Sequence, residues 1–185
     1  MLRESPNSLI QDNRRLQHAI MISANIKYDS SQVCFQEIPD EISFTYFITR
    51  CQNTCANCHS PQLREDTGTL VSSTILRDLN RQKGKCSCFL FMGGDDPLQV
   101  DALITMLKLC KSYGYKTALY SGYSLNYKTH TPELLNNLDY IKVGPYDFLL
   151  GGLDHESTNQ VLYTVENGKV KDDITHMFRR KIHED

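Results

Sequence analysis

The middle of the chain alternates between short apolar runs and longer amphipathic stretches. Four runs are apolar and rich in β-branched and aromatic residues, as strands are: residues 42–49, 86–92, 116–120 and 140–143. Three stretches carry apolar residues at helical spacing and predict helices: residues 69–82, 97–113 and 132–138. Alternation of this kind favours a parallel sheet covered by helices, in the α/β fold class.

The two ends of the chain depart from this alternation. Residues 8–22 form a polar, helix-like stretch and residues 32–36 predict a short strand, both within an N-terminal extension placed at residues 1–40. Beyond residue 158, two strand-like runs flank Glu166-Asn167-Gly168, and the Asn-Gly pair is typical of a hairpin turn. We therefore predict a C-terminal β-hairpin.

Length and composition limit the classes of protein to consider. A chain of 185 residues has room for one ordinary domain, predicted over residues 1–185 with its core at about residues 42–165. The net charge of −2 gives no basic footprint for nucleic acid. Glu4 and Asp12 interrupt the region where a signal peptide needs an apolar core, and no later run approaches a membrane span. We expect a cytoplasmic protein that binds neither nucleic acid nor membrane.

Three of the seven cysteines lie within eight residues, directly after the first strand-like run. Cys51, Cys55 and Cys58 have the spacing C-x3-C-x2-C. Three thiolates on one short loop are able to hold three irons of a cubane cluster. The spacing differs from the C-x2-C-x2-C-x3-C-P of bacterial ferredoxins, which argues against an electron-transfer ferredoxin.

A zinc-stabilised binding module is the alternative from a different functional class. Cys55 and Cys58 form a common zinc half-site, and Cys86 with Cys88, or His59, would supply the remaining ligands. Against this reading, Cys86 and Cys88 lie on one face of the apolar run CSCFLFM, where small buried thiols are the simpler interpretation. The sequence alone leaves both kinds of metal site open.

Turn-forming residues follow the other predicted strands at the same edge of the sheet. Gly93-Gly94-Asp95, Ser121-Gly122 and Gly144-Pro145 each come after a strand, and α/β sheets bind ligands at the carboxyl ends of their strands. The two aspartates after Gly94 disfavour phosphate and favour a cationic group. Asp96 precedes a proline, which is the pattern of a helix N-cap.

The cysteine spacing resembles the signature of the radical S-adenosylmethionine (radical SAM) superfamily. Together with GGDDPL and with residues 139–163, it resembles the activating proteins of anaerobic ribonucleoside-triphosphate reductases, over roughly residues 42–165. Two features depart from that pattern: an upstream DGPG segment is missing, and GGDDPL has an extra aspartate before the proline. The resemblance implies a partial (βα) barrel-like parallel sheet of the radical SAM type.

The resemblance implies two cofactors, a [4Fe-4S] cluster and S-adenosylmethionine (SAM). The three cysteines of the motif would hold the cluster, and its open iron would bind the amino and carboxylate groups of SAM. Gly93, Gly94 and Asp95 would receive the methionine ammonium. The extra aspartate leaves open how Asp95 and Asp96 divide that role.

Three further residues are candidates for contacts with SAM. By the resemblance, Ser121 would hydrogen-bond the ribose or the carboxylate, although an ordinary turn explains it as well. Asn57 stands where many members have an aromatic residue whose backbone meets adenine, and a backbone contact tolerates the difference. His59 adjoins the cysteines and would shape the SAM pocket, with an exposed loop histidine as the alternative.

The activity implied is that of a radical SAM activating enzyme, an oxidoreductase. Its protein substrate would be an anaerobic (class III) ribonucleoside-triphosphate reductase, in which it generates a glycyl radical. A one-electron reductant such as flavodoxin or ferredoxin would supply the electron. The alternative within this class is an activator of another glycyl-radical enzyme.

Overall fold

The computed structural model describes residues 26–179, and its centre is an eight-stranded β-sheet. The strands are β1 Lys27–Cys34, β2 Ser43–Ile48, β3 Thr69–Leu70, β4 Cys88–Met92, β5 Lys116–Tyr120, β6 Tyr140–Val143, β7 Val161–Glu166 and β8 Lys169–Asp173. Their order across the sheet is β3-β1-β2-β4-β5-β6-β7-β8. The helices are α1 Val71–Arg81, α2 Val100–Ser112 and the single turn α3 Pro132–Leu135.

The centre of the sheet is parallel and its edges are antiparallel. Strands β2, β4, β5 and β6 pair in parallel. Their residues are almost all buried, as expected for strands covered on both faces. Strands β1 and β3 on one side, and β7 and β8 on the other, pair antiparallel. The α/β class is confirmed, whereas the expectation of a parallel sheet holds for the four central strands alone.

Two layers cover the sheet. On one face, Tyr46, Phe89 and Phe91 pack with the apolar sides of α1 and α2, and the Tyr46 and Phe91 rings stack with centroids 5.5 Å apart. Tyr46 donates a hydrogen bond from its buried hydroxyl to Asp78 of α1, at 2.8 Å. On the other face, Leu90 packs in a smaller cluster that includes Ile38 from the loop after β1.

The predicted elements agree with the structure best in the parallel centre. The bounds of β5 and β6 are those predicted, and the C-terminal hairpin is present as β7 and β8. The predicted strand at residues 32–36 is misplaced, because β1 runs over Lys27–Cys34 and belongs to the main sheet rather than to an extension. The predicted helix at residues 8–22 lies outside the described residues. Between residues 26 and 179, no helix is long and apolar enough to cross a membrane.

Candidate functional site

The cysteine loop (residues 51–60) leaves the carboxyl end of β2 and is held by hydrogen bonds to Leu63 and Arg64. The Cys51 amide donates to the Leu63 carbonyl at 2.9 Å, which closes the loop at its base. Arg64 donates from Nη2 to the Cys55 carbonyl at 2.9 Å and from Nε to the Asn53 carbonyl at 3.2 Å. The guanidinium thus fixes the loop backbone between the first two cysteines.

The three cysteines of the loop are half-buried free thiols. Cys51 and Cys55 line a cavity, and the Ser60 amide donates a hydrogen bond to Cys58 Sγ at 3.4 Å. Within residues 26–179, no three His, Cys, Asp or Glu side chains converge on the position of a single metal ion. A four-iron cluster binds each thiolate at a different iron, so its three cysteines need not converge on a single metal position. Hydrogen bonds to the cysteine sulfurs are also compatible with such a cluster.

The other four cysteines lie at the opposite end of the sheet. Cys88 opens β4 and pairs with Ser43 at the start of β2, whereas the cysteine loop follows the end of β2. At about 3.3 Å per strand residue, the length of β4 separates Cys88 from that edge by about 13 Å. Burial raises the pKa of the Cys88 and Cys110 thiols. Cys86 and Cys88 therefore do not complete a zinc site with Cys55 and Cys58.

The glycine turn (residues 93–96) follows β4 beside the cysteine loop. Gly94 has a φ of 93°, and a Cβ on it would stand 2.8 Å from Ile26 Cδ1. Only glycine combines this left-handed conformation with such close packing. The turn carries Asp95 and Asp96 into the wall of the same cavity.

Asp95 and Asp96 have different surroundings. Asp95 is 2% exposed, and its Oδ2 accepts a hydrogen bond from the Ser121 hydroxyl at 2.5 Å. Asp96 accepts from the Leu98 amide at 2.8 Å, so its carboxylate caps the turn before α2. The cap-like role predicted for Asp96 agrees with this contact, although α2 itself begins only at Val100.

Lys142 is a site residue that the sequence analysis missed. It is 8% exposed in β6 and lines the cavity, with Nζ 5.3 Å from the centre of the Tyr120 ring. No hydrogen bond or ion pair from a described residue reaches Nζ. Burial lowers the pKa of Lys142 to about 8. Nearby acidic groups, Asp95 and Cys55 among them, act in the opposite direction and raise this pKa, but burial has the larger effect. A lysine inside the apolar run YIKV was the available signal.

Gln99 supplies the cavity with an unpaired acceptor. The side chain is 1% exposed and donates from Nε2 to the Thr49 carbonyl at 3.2 Å. Its Oε1 is buried without a hydrogen-bond partner among the described residues, and Gln99 lines the cavity. A buried carbonyl oxygen without a partner costs free energy, which a hydrogen-bond donor on a bound molecule would relieve.

The segment after β6 closes the far side of the cavity. Tyr146 lines the cavity, and its hydroxyl lies 3.1 Å from His59 Nε2 of the cysteine loop. Gln160 donates to the Gly144 carbonyl at 3.2 Å and Asn159 to the Pro145 carbonyl at 3.0 Å. The Thr-Asn-Gln segment thus fixes the backbone of the Gly-Pro turn.

The cavity has a volume of about 190 Å³ and opens between the cysteine loop and the carboxyl ends of β4, β5 and β6. Polar and sulfur-bearing side chains in its wall include Cys51, Cys55, Asp95, Asp96, Gln99 and Lys142. The wall therefore offers two cysteine sulfurs, two carboxylates, an ammonium group and an amide oxygen. These residues suit an iron–sulfur cluster beside a small zwitterionic molecule.

The predicted SAM contacts fall into three groups. Gly93, Gly94 and Asp95 line the cavity. Ser121 is fully buried and its hydroxyl is bonded to Asp95, so its polar contact is with the carboxylate. Asn57 and His59 are exposed and stand outside the cavity wall, His59 reaching it through Tyr146.

Comparison with known proteins agrees with this arrangement. A pyruvate formate-lyase-activating enzyme from Clostridium pasteurianum is 31% identical to the chain over 142 residues, which are 71% of the chain and 59% of that enzyme. The chain thus spans less than two thirds of this relative's length. No solved structure matches the chain significantly. Residues 42–163, with all three cysteines of the loop, match the model of a family described as a 4Fe-4S single cluster domain, and the chain belongs to that family.

Proposed function

We propose that this protein is a radical SAM activating enzyme that generates a glycyl radical on an anaerobic ribonucleoside-triphosphate reductase. The observation that carries the proposal is the meeting of two of the three loop cysteines, Cys51 and Cys55, with Asp95 and Lys142 around one cavity. The relationship to an enzyme named as activating pyruvate formate-lyase supports an activating role. We further propose that the protein acts in the cytoplasm, as one domain with a barrel-like sheet.

The charges of the cavity match the amino-acid end of SAM. That end carries an ammonium and a carboxylate, and the wall of the cavity offers the opposite charges in Asp95 and Lys142. Both protein groups are more than nine-tenths buried and have lost most of their contact with water. A ligand group of opposite charge would stabilise each of them by replacing that lost hydration. Gln99 Oε1 supplies a further acceptor for an N–H or O–H of the ligand.

The residues of the chain hold and orient the reacting molecules. Cys51, Cys55 and Cys58 would bind three irons, and Arg64 would keep their loop in place. When bound, a [4Fe-4S] cluster supplies the electron that cleaves SAM to methionine and a 5′-deoxyadenosyl radical, which takes a hydrogen atom from the substrate glycine. A one-electron reductant such as flavodoxin or ferredoxin would provide that electron.

A second candidate target is a pyruvate formate-lyase, because the relative's name specifies that enzyme. The Gly144-Pro145 turn and the Thr-Asn-Gln segment favour the reductase, since these are the segments that resemble reductase activators. In this chain the two segments are bonded to each other through Asn159 and Gln160. We therefore place the reductase first.

The test is made on protein reconstituted anaerobically with iron and sulfide and reduced chemically. We expect 5′-deoxyadenosine from SAM, and a glycyl-radical signal in electron paramagnetic resonance when an anaerobic ribonucleotide reductase is added. A signal with pyruvate formate-lyase alone would move the target to the second candidate. Absence of both 5′-deoxyadenosine and radical with every partner, in protein with a full complement of iron, would overturn the proposed activity.

A further inference from the structure

A buried histidine lies behind the glycine turn. The His130 side chain is 0% exposed, and its Nε2 lies 2.9 Å from Asp95 Oδ2. His130 comes from the loop between β5 and α3, in which the sequence analysis predicted a site role for Ser121 but none for His130. The contact joins two residues that are 35 positions apart in the sequence.

Both ring nitrogens of His130 face acceptors. Nδ1 lies 3.1 Å from the Leu125 carbonyl oxygen, which only accepts hydrogen bonds, so Nδ1 carries a hydrogen. Nε2 faces the carboxylate oxygen Oδ2 of Asp95, and a hydrogen bond between these two atoms requires a proton on one of them. The histidine is thereby fixed between the loop backbone and Asp95.

This arrangement leaves Asp95 one oxygen for a ligand. Oδ2 is bonded to both His130 and Ser121, and the Asp95 backbone carbonyl accepts from the Thr129 hydroxyl at 2.5 Å. No described residue hydrogen-bonds to Oδ1. Since Asp95 lines the cavity, Oδ1 is the carboxylate oxygen left to accept from a molecule bound there.

Packing holds the histidine loop itself in place. The Tyr123 and Tyr127 rings stack with centroids 3.7 Å apart, and the His130 ring meets the Tyr127 ring edge-on at 5.9 Å. The Tyr123 amide also donates to the Ser121 hydroxyl at 3.0 Å. Asp95, Ser121 and His130 therefore form one connected unit.

We infer that His130 is a positioning residue: it fixes the Asp95 carboxylate in the orientation that receives the cationic amino group of SAM. The identity of the ligand rests on the proposed function. The role of His130 is distinct from that of the cysteines, because His130 does not itself line the cavity and reaches it through Asp95.

The variants His130→Gln and His130→Phe distinguish the effect of the hydrogen bond on SAM binding from the effect of the ring's shape. Glutamine is able to donate to Asp95 from its amide, whereas phenylalanine fills the space without a donor. We expect the dissociation constant for SAM, measured by equilibrium dialysis of reconstituted protein, to rise at least tenfold in the Phe variant and less in the Gln variant. Iron content and the rate of SAM cleavage at saturating SAM should stay close to wild type.

Tyr127→Phe is the matched control, since it keeps the ring against His130 and does not touch Asp95. A downfield, slowly exchanging Nε2-proton resonance of His130 in wild-type protein should be absent from His130→Phe and from Asp95→Ala, whereas the Nδ1 proton bonded to the Leu125 carbonyl should remain in Asp95→Ala. Unchanged SAM affinity in a folded His130→Phe would overturn the inference. If the Phe variant misfolds, a wild-type Nε2-proton resonance in Asp95→Ala would overturn it, since that proton would then not be bonded to Asp95. Failure of wild-type protein to bind SAM would overturn the proposed function instead, whatever the ring-proton signal shows.

Discussion

Gly122 and Asn53 lie in direct contact, because a Cβ on Gly122 would stand 2.3 Å from Asn53 Nδ2. The contact joins the turn after β5 to the cysteine loop, and both residues line the cavity. We expect Gly122→Ala to displace the Asn53 side chain and to raise the dissociation constant for SAM severalfold, with little loss of fold stability. Equilibrium dialysis with SAM and thermal unfolding measure the two effects.

Two variants check this explanation. Gly152→Ala adds the same methyl group in a loop where the nearest atom, Asp154 Oδ1, is 3.2 Å away, and it should bind SAM as wild type does. Asn53→Ala combined with Gly122→Ala removes the obstructing amide and should recover part of the lost affinity. If the double variant binds no better than Gly122→Ala, the clash with Asn53 is not the cause.

The position of the cysteines predicts which of them bind iron. Cys55→Ala should lose the cluster and all SAM cleavage, since it removes one of the three proposed ligands in the cysteine loop. Cys86→Ala alters a buried thiol near the other end of the sheet and should keep its iron. Iron and sulfide analysis with visible absorbance distinguishes the two. Equal loss of iron in both variants would contradict the assignment of ligands.

The buried ammonium group of Lys142 lowers the stability of the fold, which indicates that Lys142 has a role in binding. Burying an ammonium group without an ion pair is unfavourable, and Lys142 is 8% exposed. Replacing it with methionine, which has similar length and no charge, should raise the free energy of unfolding by about 1 kcal/mol or more. The same change should weaken SAM binding at least tenfold, because the ligand carboxylate loses its counter-charge.

Lys142→Arg is the control that keeps the positive charge. It should bind SAM better than Lys142→Met does, although the larger guanidinium will not fit the cavity equally well. Urea unfolding gives the stability and equilibrium dialysis gives the affinity. A methionine variant that is less stable than wild type, and that binds SAM equally well, would show that Lys142 has a structural role alone.

The parallel centre of the fold was predictable because its signals are local. The apolar runs at β5 and β6 identify mostly buried strands, and the three cysteines are close together in the sequence itself. The pairing of β1 with β2 was not predictable in the same way, since half of the residues of β1 are exposed and its buried and exposed positions do not alternate regularly. Its place in the sheet depends on its partner strand rather than on its own pattern.

The candidate site was predictable in its cysteines and glycine turn but not in its supporting contacts. Cys51 and Gly94 stand in motifs whose spacing carries the chemistry. His130 reaches Asp95 through the fold, and no pattern in the sequence around His130 indicates that contact. Gln99 similarly acquires its importance from burial, whereas Lys142 had a signal in the sequence, a lysine inside the apolar run YIKV.

The ion pair of Glu41 with Lys116 predicts how stability depends on pH. Glu41 accepts hydrogen bonds from Lys116 Nζ and, at 2.9 Å, from the Tyr140 hydroxyl. Burial acts to raise the pKa of Glu41, but these hydrogen bonds outweigh it and hold the pKa below its ordinary value of 4.5. A carboxyl with a depressed folded-state pKa stabilises the protein above pH 4.5, and this contribution is lost as the pH falls through the folded-state pKa.

Glu41→Gln should therefore lower the free energy of unfolding at pH 7 by about 1 kcal/mol, a small figure because the Lys116 end of the pair is exposed to solvent. The difference between wild type and variant should shrink as the pH falls below about 4.5, where the wild-type carboxyl takes up its proton. Urea unfolding is measured at each pH on protein before cluster reconstitution, so that acid loss of iron does not contribute. Lys108→Ala, which breaks an exposed pair with Glu133, is the control and should change stability little at any pH. A difference between wild type and Glu41→Gln that stays constant down to pH 3 would contradict the depressed pKa of Glu41.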